Sequence, residues 1–146
     1  RVNYDTLAKT IHSLTEGETD EVALMATLVC ELHHADDRFD WTGFYRVTEP
    51  NLLKIGPYQG GHGCLQIPFS RGVCGAAARS GEVHLVADVD AFPGNRLSLQ
   101  HQIGIVLPVW NGAGTLIAVF DIDSDLPDAF DATDARRLTK ILGDTF

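Results

Sequence analysis

Residues 56–75, Gly-Pro-Tyr-Gln-Gly-Gly-His-Gly-Cys-Leu-Gln-Ile-Pro-Phe-Ser-Arg-Gly-Val-Cys-Gly, place Cys64 and Cys74 in a backbone rich in glycine and punctuated by proline. Such a backbone turns tightly and comes close to a ligand, so these thiols are placed for chemistry. Gly72-Val73-Cys74-Gly75 then runs into Ala76-Ala77-Ala78-Arg79, which reads as the first turn of a helix. A cysteine there feels unpaired amides and the positive end of the dipole, both of which favour thiolate. The chemistry this predicts is thiol redox chemistry. The competing reading of Cys74 is a small apolar residue packed under the helix.

The elements that must carry these thiols follow from periodicity. Residues 4–15 form an amphipathic helix that Asn3 can cap, with Leu7, Ile11 and Leu14 at helical spacing. Asp20 offers a new cap for a helix over 21–33. Its apolar residues (Val22, Leu24, Met25, Leu28, Val29, Cys30, Leu32) surround most of the circumference, which predicts burial on two sides, under a sheet or in a dimer interface. Cys30, in its middle, reads as core filler. His33 and His34 close the helix, where imidazole suits the negative end of the dipole.

From Trp41 the period becomes two. Strands over 41–47 and 52–58 flank the turn Thr48-Glu49-Pro50-Asn51, a short strand covers 65–67, and the helix opening at Gly72 stops at Ser80-Gly81. A strand over 83–86 leads into an irregular connection reaching Gly104. Strands over 103–110 and 115–122 flank Asn111-Gly112-Ala113-Gly114, and a last helix starts near Asp131 with Leu138, Ile141 and Leu142 on one face. This order predicts an α+β domain, an antiparallel sheet with helices on one face and ligand-facing loops on the other.

Composition narrows the partners. A chain of 146 residues, 45% hydrophobic, fits a single domain over 1–146 with a real core. The net charge of -9 and the lack of a Lys/Arg cluster argue against nucleic acid or an anionic membrane as partner. No apolar run of about 18 residues marks a membrane span, and Arg1 to Tyr4 do not resemble a secretory signal, so a cytoplasmic protein is expected. Cys30, Cys64 and Cys74 are odd in number and match no zinc spacing, which predicts reduced thiols, no metal site, and any disulfide transient and functional.

Trp41-Thr42-Gly43-Phe44-Tyr45, Gly56-Pro57-Tyr58-Gln59-Gly60, Cys64, Ile67-Pro68, Arg71-Gly72-Val73-Cys74-Gly75, Asp88-Val89, Ala91-Phe92-Pro93-Gly94, Ile105-Val106-Leu107-Pro108 and Asp121-Ile122-Asp123-Ser124 occur in that order. With these motifs the chain resembles the free methionine-(R)-sulfoxide reductases, which are GAF domains, over nearly its whole length from Tyr4. The resemblance implies a closed pocket for one free methionine sulfoxide and a cysteine thiolate that attacks its sulfur. A second cysteine captures the sulfenic acid, and thioredoxin, as electron donor, reduces the disulfide, with no bound cofactor. It also implies a homodimer. By motif, Cys64 and Cys74 fall on the partner cysteines, Cys64 on the resolving one, and Trp41 and Tyr45 on pocket aromatics. Asp121 and Asp123, two apart at the end of a strand and so pointing the same way, resemble the carboxylates that take the ammonium group or help protonate the sulfoxide oxygen. Their other reading is a strand-end cap.

The pattern breaks between Gly94 and Ile105. Ser98 stands where the family's attacking cysteine belongs, Gly104 where a glutamate belongs, and the loop is one residue short. A serine hydroxyl is far less nucleophilic at neutral pH and cannot cycle through sulfenic acid and disulfide. Residues 95–104 can be back-translated so that, one nucleotide later, they read Thr-Ala-Cys-Arg-Ser-Ser-Thr-Arg-Ser. Restored bases then place Ser-Glu before Ile105 and Cys seven after Ala91. Substitution, a compensated frame shift and an incompletely read loop are the alternatives. Two functions follow: a reductase of the free sulfoxide, or an inactive GAF module that binds a small amino acid or senses redox state through a Cys64–Cys74 disulfide. His62 and His101 read as exposed loop histidines.

Overall fold

The computed structural model describes residues 2–87 and 103–146. Its helices begin where the capping residues stand. α1 (Tyr4–Thr15) starts at Asn3, whose side chain accepts from Thr6 N, and α2 (Glu21–Ala35) starts at Asp20, which accepts from Val22 N and Ala23 N. After the hairpin β1 (Trp41–Glu49) and β2 (Leu52–Gln59) come β3 (Gln66–Pro68), α3 (Gly72–Ser80) and β4 (His84–Val86). Gly81 ends α3 in the left-handed conformation, φ 69°. The chain then forms β5 (Ile103–Trp110), β6 (Leu116–Ser124) and α4 (Ala132–Thr145), the last opened by a reciprocal Asp131/Asp134 capping box.

The described strands form one antiparallel sheet in the order β3-β2-β1-β6-β5-β4. One face is covered by α1, α2 and α4 around Phe44, Phe120, Leu28, Leu32, Ile105 and Leu138, all fully buried. The opposite face carries α3 and the 60–65 loop over a second cluster that includes Trp41, Tyr45, Leu53, Cys74, Val106 and Val119. The architecture is the expected α+β one, refined in that α3 shares the loop face.

A buried polar knot ties the first face together. The Arg38 guanidinium donates to both oxygens of Asp134 (2.9 and 3.0 Å), to Asp36 and to the Ala129 carbonyl, while the Tyr4 hydroxyl donates to Asp134 at 2.6 Å. Burial alone would raise the Asp134 pKa, but hydrogen bonds from Arg38 and Tyr4 bring it down to about 2.

Two expectations about α2 are corrected. Cys30 is exposed, because it lies with Val22 and Ala26 on the side of α2 turned away from β1 and β2; only the opposite side enters the core. His33 is engaged with β1 rather than left free at the helix end. Its Nδ1 lies 3.0 Å from Thr42 Oγ1, and burial together with the His34 charge lowers its pKa. Among the described residues no helix is long and apolar enough to cross a membrane.

Candidate active site

Alternation along β1 puts Trp41, Gly43 and Tyr45 on the loop face. A Cβ at Gly43 would sit 2.5 Å from both the Trp41 ring and Tyr58 Cβ, so the absent side chain is what lets the indole lie flat over the strand. The indole is nearly parallel to Tyr45 (centroids 5.7 Å apart, 19°) and Tyr58 (5.3 Å, 18°). Its Nε1 donates to the Gly61 carbonyl at 2.8 Å, which holds the glycine-rich loop against the aromatics.

β6 supplies the acids. It runs two residues further than its periodicity suggested, so Asp121 and Asp123 lie within the strand and are not a strand-end cap. Asp121 is flanked by Gly43 on β1 and Val106 on β5; Asp123 is flanked by Trp41 and Gly104. At both positions the glycine lets neighbours close in: the indole and Tyr58 at Gly43, and the Ile122 carbonyl and the Asp123 carboxylate at Gly104.

Asp121 is 8% exposed and Asp123 half-buried. Burial raises Asp121 to about 7, against hydrogen bonds to Asp123 and Cys74 that lower it. Asp123 goes well above the carboxylate range through burial and the charge of Asp121. Two such acids side by side cannot both ionise cheaply, so each makes the other hold its proton more tightly.

The thiols differ. Cys64 is half-buried and borders an open groove of about 820 Å³ that is also lined by Lys54, Ile55, Leu65 and Gln66. Cys74 is 8% exposed, and its pKa is raised by burial and by the neighbouring Asp121 and Asp123. This corrects the expectation of a thiolate at the helix start: Cys74 is in the first turn of α3, but burial beside two acids outweighs the dipole. The Tyr45 phenol marks the convergence, since its pKa is raised by burial and then by Asp121, Cys74, Cys64 and Asp123 in turn.

The structure therefore gathers Trp41, Tyr45, Cys64, Cys74, Asp121 and Asp123 around one spot. Ser98 and His101 lie outside the described residues; Gly104 pairs with Asp123 in β5, and His62 is exposed. Sequence reasoning missed Tyr58 as the second ring against Trp41. The available signal was its cross-strand pairing with Gly43, which depends on register. Among the described residues no three His, Cys, Asp or Glu side chains are grouped to hold a metal ion.

The GAF domain model matches residues 3–145. A free methionine-R-sulfoxide reductase of Escherichia coli (strain K12) is 33% identical over 140 residues, 95% of this chain and 84% of that protein. Among solved structures, the reduced form of the Staphylococcus aureus free methionine-R-sulfoxide reductase aligns with a TM-score of 0.93 at 34% identity, covering 99% of this chain and 94% of that one. The Neisseria meningitidis enzyme, solved in complex with its substrate, aligns with a TM-score of 0.87 at 39% identity, covering 98% and 87%. With its sheet, its aromatic pair and its buried acids in the places described, the chain belongs to the free methionine-R-sulfoxide reductase family of GAF-domain proteins.

Proposed function

We propose that the domain binds free methionine (R)-sulfoxide between the Trp41/Tyr45 face and the Asp121/Asp123 pair and reduces it to methionine by thiol chemistry. The supporting observation is the convergence of an aromatic surface, two buried acids and two thiols beside Gly43 and Gly104. A free amino acid brings an ammonium group, which a partly ionised carboxylate pair takes, and a methyl group, which packs on an indole. A proton held by the pair is available to the sulfoxide oxygen.

In the reaction a cysteine thiolate attacks the sulfoxide sulfur. The S–O bond breaks, the oxygen passes to the attacking sulfur with one net proton taken up, and methionine leaves while the cysteine becomes a sulfenic acid. Cys64 displaces water from that acid to form a disulfide, and thioredoxin reduces it by dithiol exchange, supplying the two electrons. This chemistry suits a reducing compartment such as the cytoplasm. The exposed Val22, Ala26 and Cys30 side of α2 is the surface for a homodimer contact.

The attacking thiolate belongs at the position of Ser98, so turnover requires the one-nucleotide-shifted reading of the loop or loop residues beyond those given, whereas a true serine there leaves a domain that binds without turnover. Sequencing the coding DNA and measuring intact mass decide which loop the protein carries. A thioredoxin-coupled NADPH assay on the separate sulfoxide epimers, with calorimetry on the same sample, then tests function. Turnover of the (R) epimer by protein carrying the cysteine loop is expected. Absence of any binding of free methionine sulfoxide overturns the reading; binding without turnover by the cysteine-loop protein reduces it to a ligand-binding module.

A further inference from the structure

Asp40 stands one residue before β1 and touches all three parts of the site. Its amide donates to the Asp123 carbonyl at 3.0 Å and its Oδ2 accepts from Asp125 N at 2.7 Å, so main chain and side chain of one residue grip β6 on both sides of Ser124. These bonds carry the β1–β6 pairing past its last ladder pair, Trp41 and Asp123. Asp40 also meets the glycine-rich loop. A Cβ at Gly60 would come within 2.8 Å of the Asp40 carbonyl oxygen and of Trp41 Cδ1, and Gly60 passes there at φ 116°.

The segment that carries Asp40 is anchored in the core. Phe39 N donates to the Asp36 carbonyl at 3.1 Å, the Phe39 ring packs on Phe130 with centroids 5.6 Å apart, and Arg38 is fixed between Asp36 and Asp134. β6, by contrast, runs from buried Ser124 straight into the exposed residues 125–128. Strands fray where their pairing stops, and the residue next to that end is Asp123.

We infer that Asp40 is a positioning residue: by holding residues 123 and 125 to the anchored start of β1, it fixes the direction from which the Asp123 carboxylate meets a ligand beside the indole. The inference rests on the reading of this pocket as the sulfoxide site. The grip on Asp125 needs an acceptor oxygen at the reach of an aspartate, and no charge. Asp40→Asn keeps that acceptor, Asp40→Ala removes it, and Asp40→Glu keeps the charge but moves the acceptor by a methylene.

The test is calorimetric titration of free methionine sulfoxide at a temperature where circular dichroism shows each variant folded. Binding should weaken about three- to tenfold in Asp40→Ala and Asp40→Glu and stay within about twofold of wild type in Asp40→Asn. In an Asp123→Asn background Asp40→Ala should cost nothing further, because the residue acts through that carboxylate. A strand cap that serves stability alone leaves the affinity of folded Asp40→Ala at the wild-type value, which overturns the inference. Additive losses in the double variant overturn it too, as does an Asp40→Glu protein that binds normally while Asp40→Asn does not. Should Asp40→Ala not fold, the comparison of Asn with Glu carries the same test.

Hydrogen exchange on the unliganded protein examines the grip itself. The Asp125 amide should be protected in wild type and Asp40→Asn and exchange at least about tenfold faster in Asp40→Ala. Equal exchange in wild type and Asp40→Ala overturns the inference. A wild type that binds no methionine sulfoxide overturns the functional reading instead, and exchange at Asp125 still tells whether Asp40 holds β6.

Discussion

Trp41 and Asp123 face each other across the β1–β6 ladder, an indole beside an acid that burial makes reluctant to ionise. Two residues along, on the same face, Gly43 faces Asp121, so the apolar and the acidic halves of the site are built on paired positions of two central strands. Any ligand that satisfies both must offer a cation and a hydrophobic group a few ångströms apart, as a small free amino acid does.

Gly43→Ala should disrupt this arrangement from beneath. The added methyl meets the indole and Tyr58 Cβ at 2.5 Å, so the ring must lift off the strand. A loss of about 1–3 kcal/mol in urea-measured stability is expected from overpacking, with at least tenfold weaker methionine sulfoxide binding. Gly112→Ala, at a turn position where a Cβ meets nothing within 4 Å, is the control and should leave binding unchanged.

Stability should peak in mild acid. Asp134, with its folded pKa lowered to about 2, contributes stability that is complete above the ordinary carboxylate range and lost as pH falls through that range toward 2, worth about 2 kcal/mol. Asp121, raised to about 7, has the opposite sign: its contribution is complete below the ordinary carboxylate pKa and lost as pH rises through 7. Thermal midpoints measured across pH should therefore fall between pH 5 and 8. Asp123→Asn removes one of the crowded charges, flattening that fall and weakening ligand binding at least about tenfold. A wild-type midpoint that climbs steadily toward pH 8 contradicts the raised pKa of Asp121.

Arg38 should be among the most sensitive positions outside the site. Truncation to Ala strands Asp36 and Asp134 without their cation among buried surroundings, with side chains 3% and 2% exposed. A loss of about 3–5 kcal/mol by denaturant titration is expected. Arg137→Ala removes the ion pair with Asp5 and the stacking of its guanidinium over the Tyr4 ring, and should cost about 1 kcal/mol, well below the loss at Arg38.

Trp110→Phe should isolate the site's own reporter. The chain has two tryptophans, and Trp110 is 44% exposed against the end of α3 near Gly81. With Trp41 as the remaining indole, free methionine sulfoxide should change the emission intensity in a saturable way. The same titration on Trp41→Phe should give no signal.

Much of the fold was legible because its signals are local. Asn3, Asp20 and Asp131 cap helices within a few residues of themselves, and Asn111-Gly112-Ala113-Gly114 closes its own hairpin. Cys30 was misjudged because an apolar circumference does not say which side of a helix meets the sheet. The length of β6 was misjudged because pairing with β1 and β5 carries it through Ser124, beyond what its own alternation supports.

The sequence by itself determined the chemistry available: two thiols in a glycine-rich loop, two carboxylates two residues apart, aromatics at Trp41 and Tyr45, and an α+β order of elements. Only the tertiary structure decided the states of those groups. The pKa values of Cys74, Asp121 and Asp123 are all raised because α3, β1 and β6 bring these groups together and bury them. A pKa is set by the burial and the charges around a group, and here those come from segments far apart in the chain.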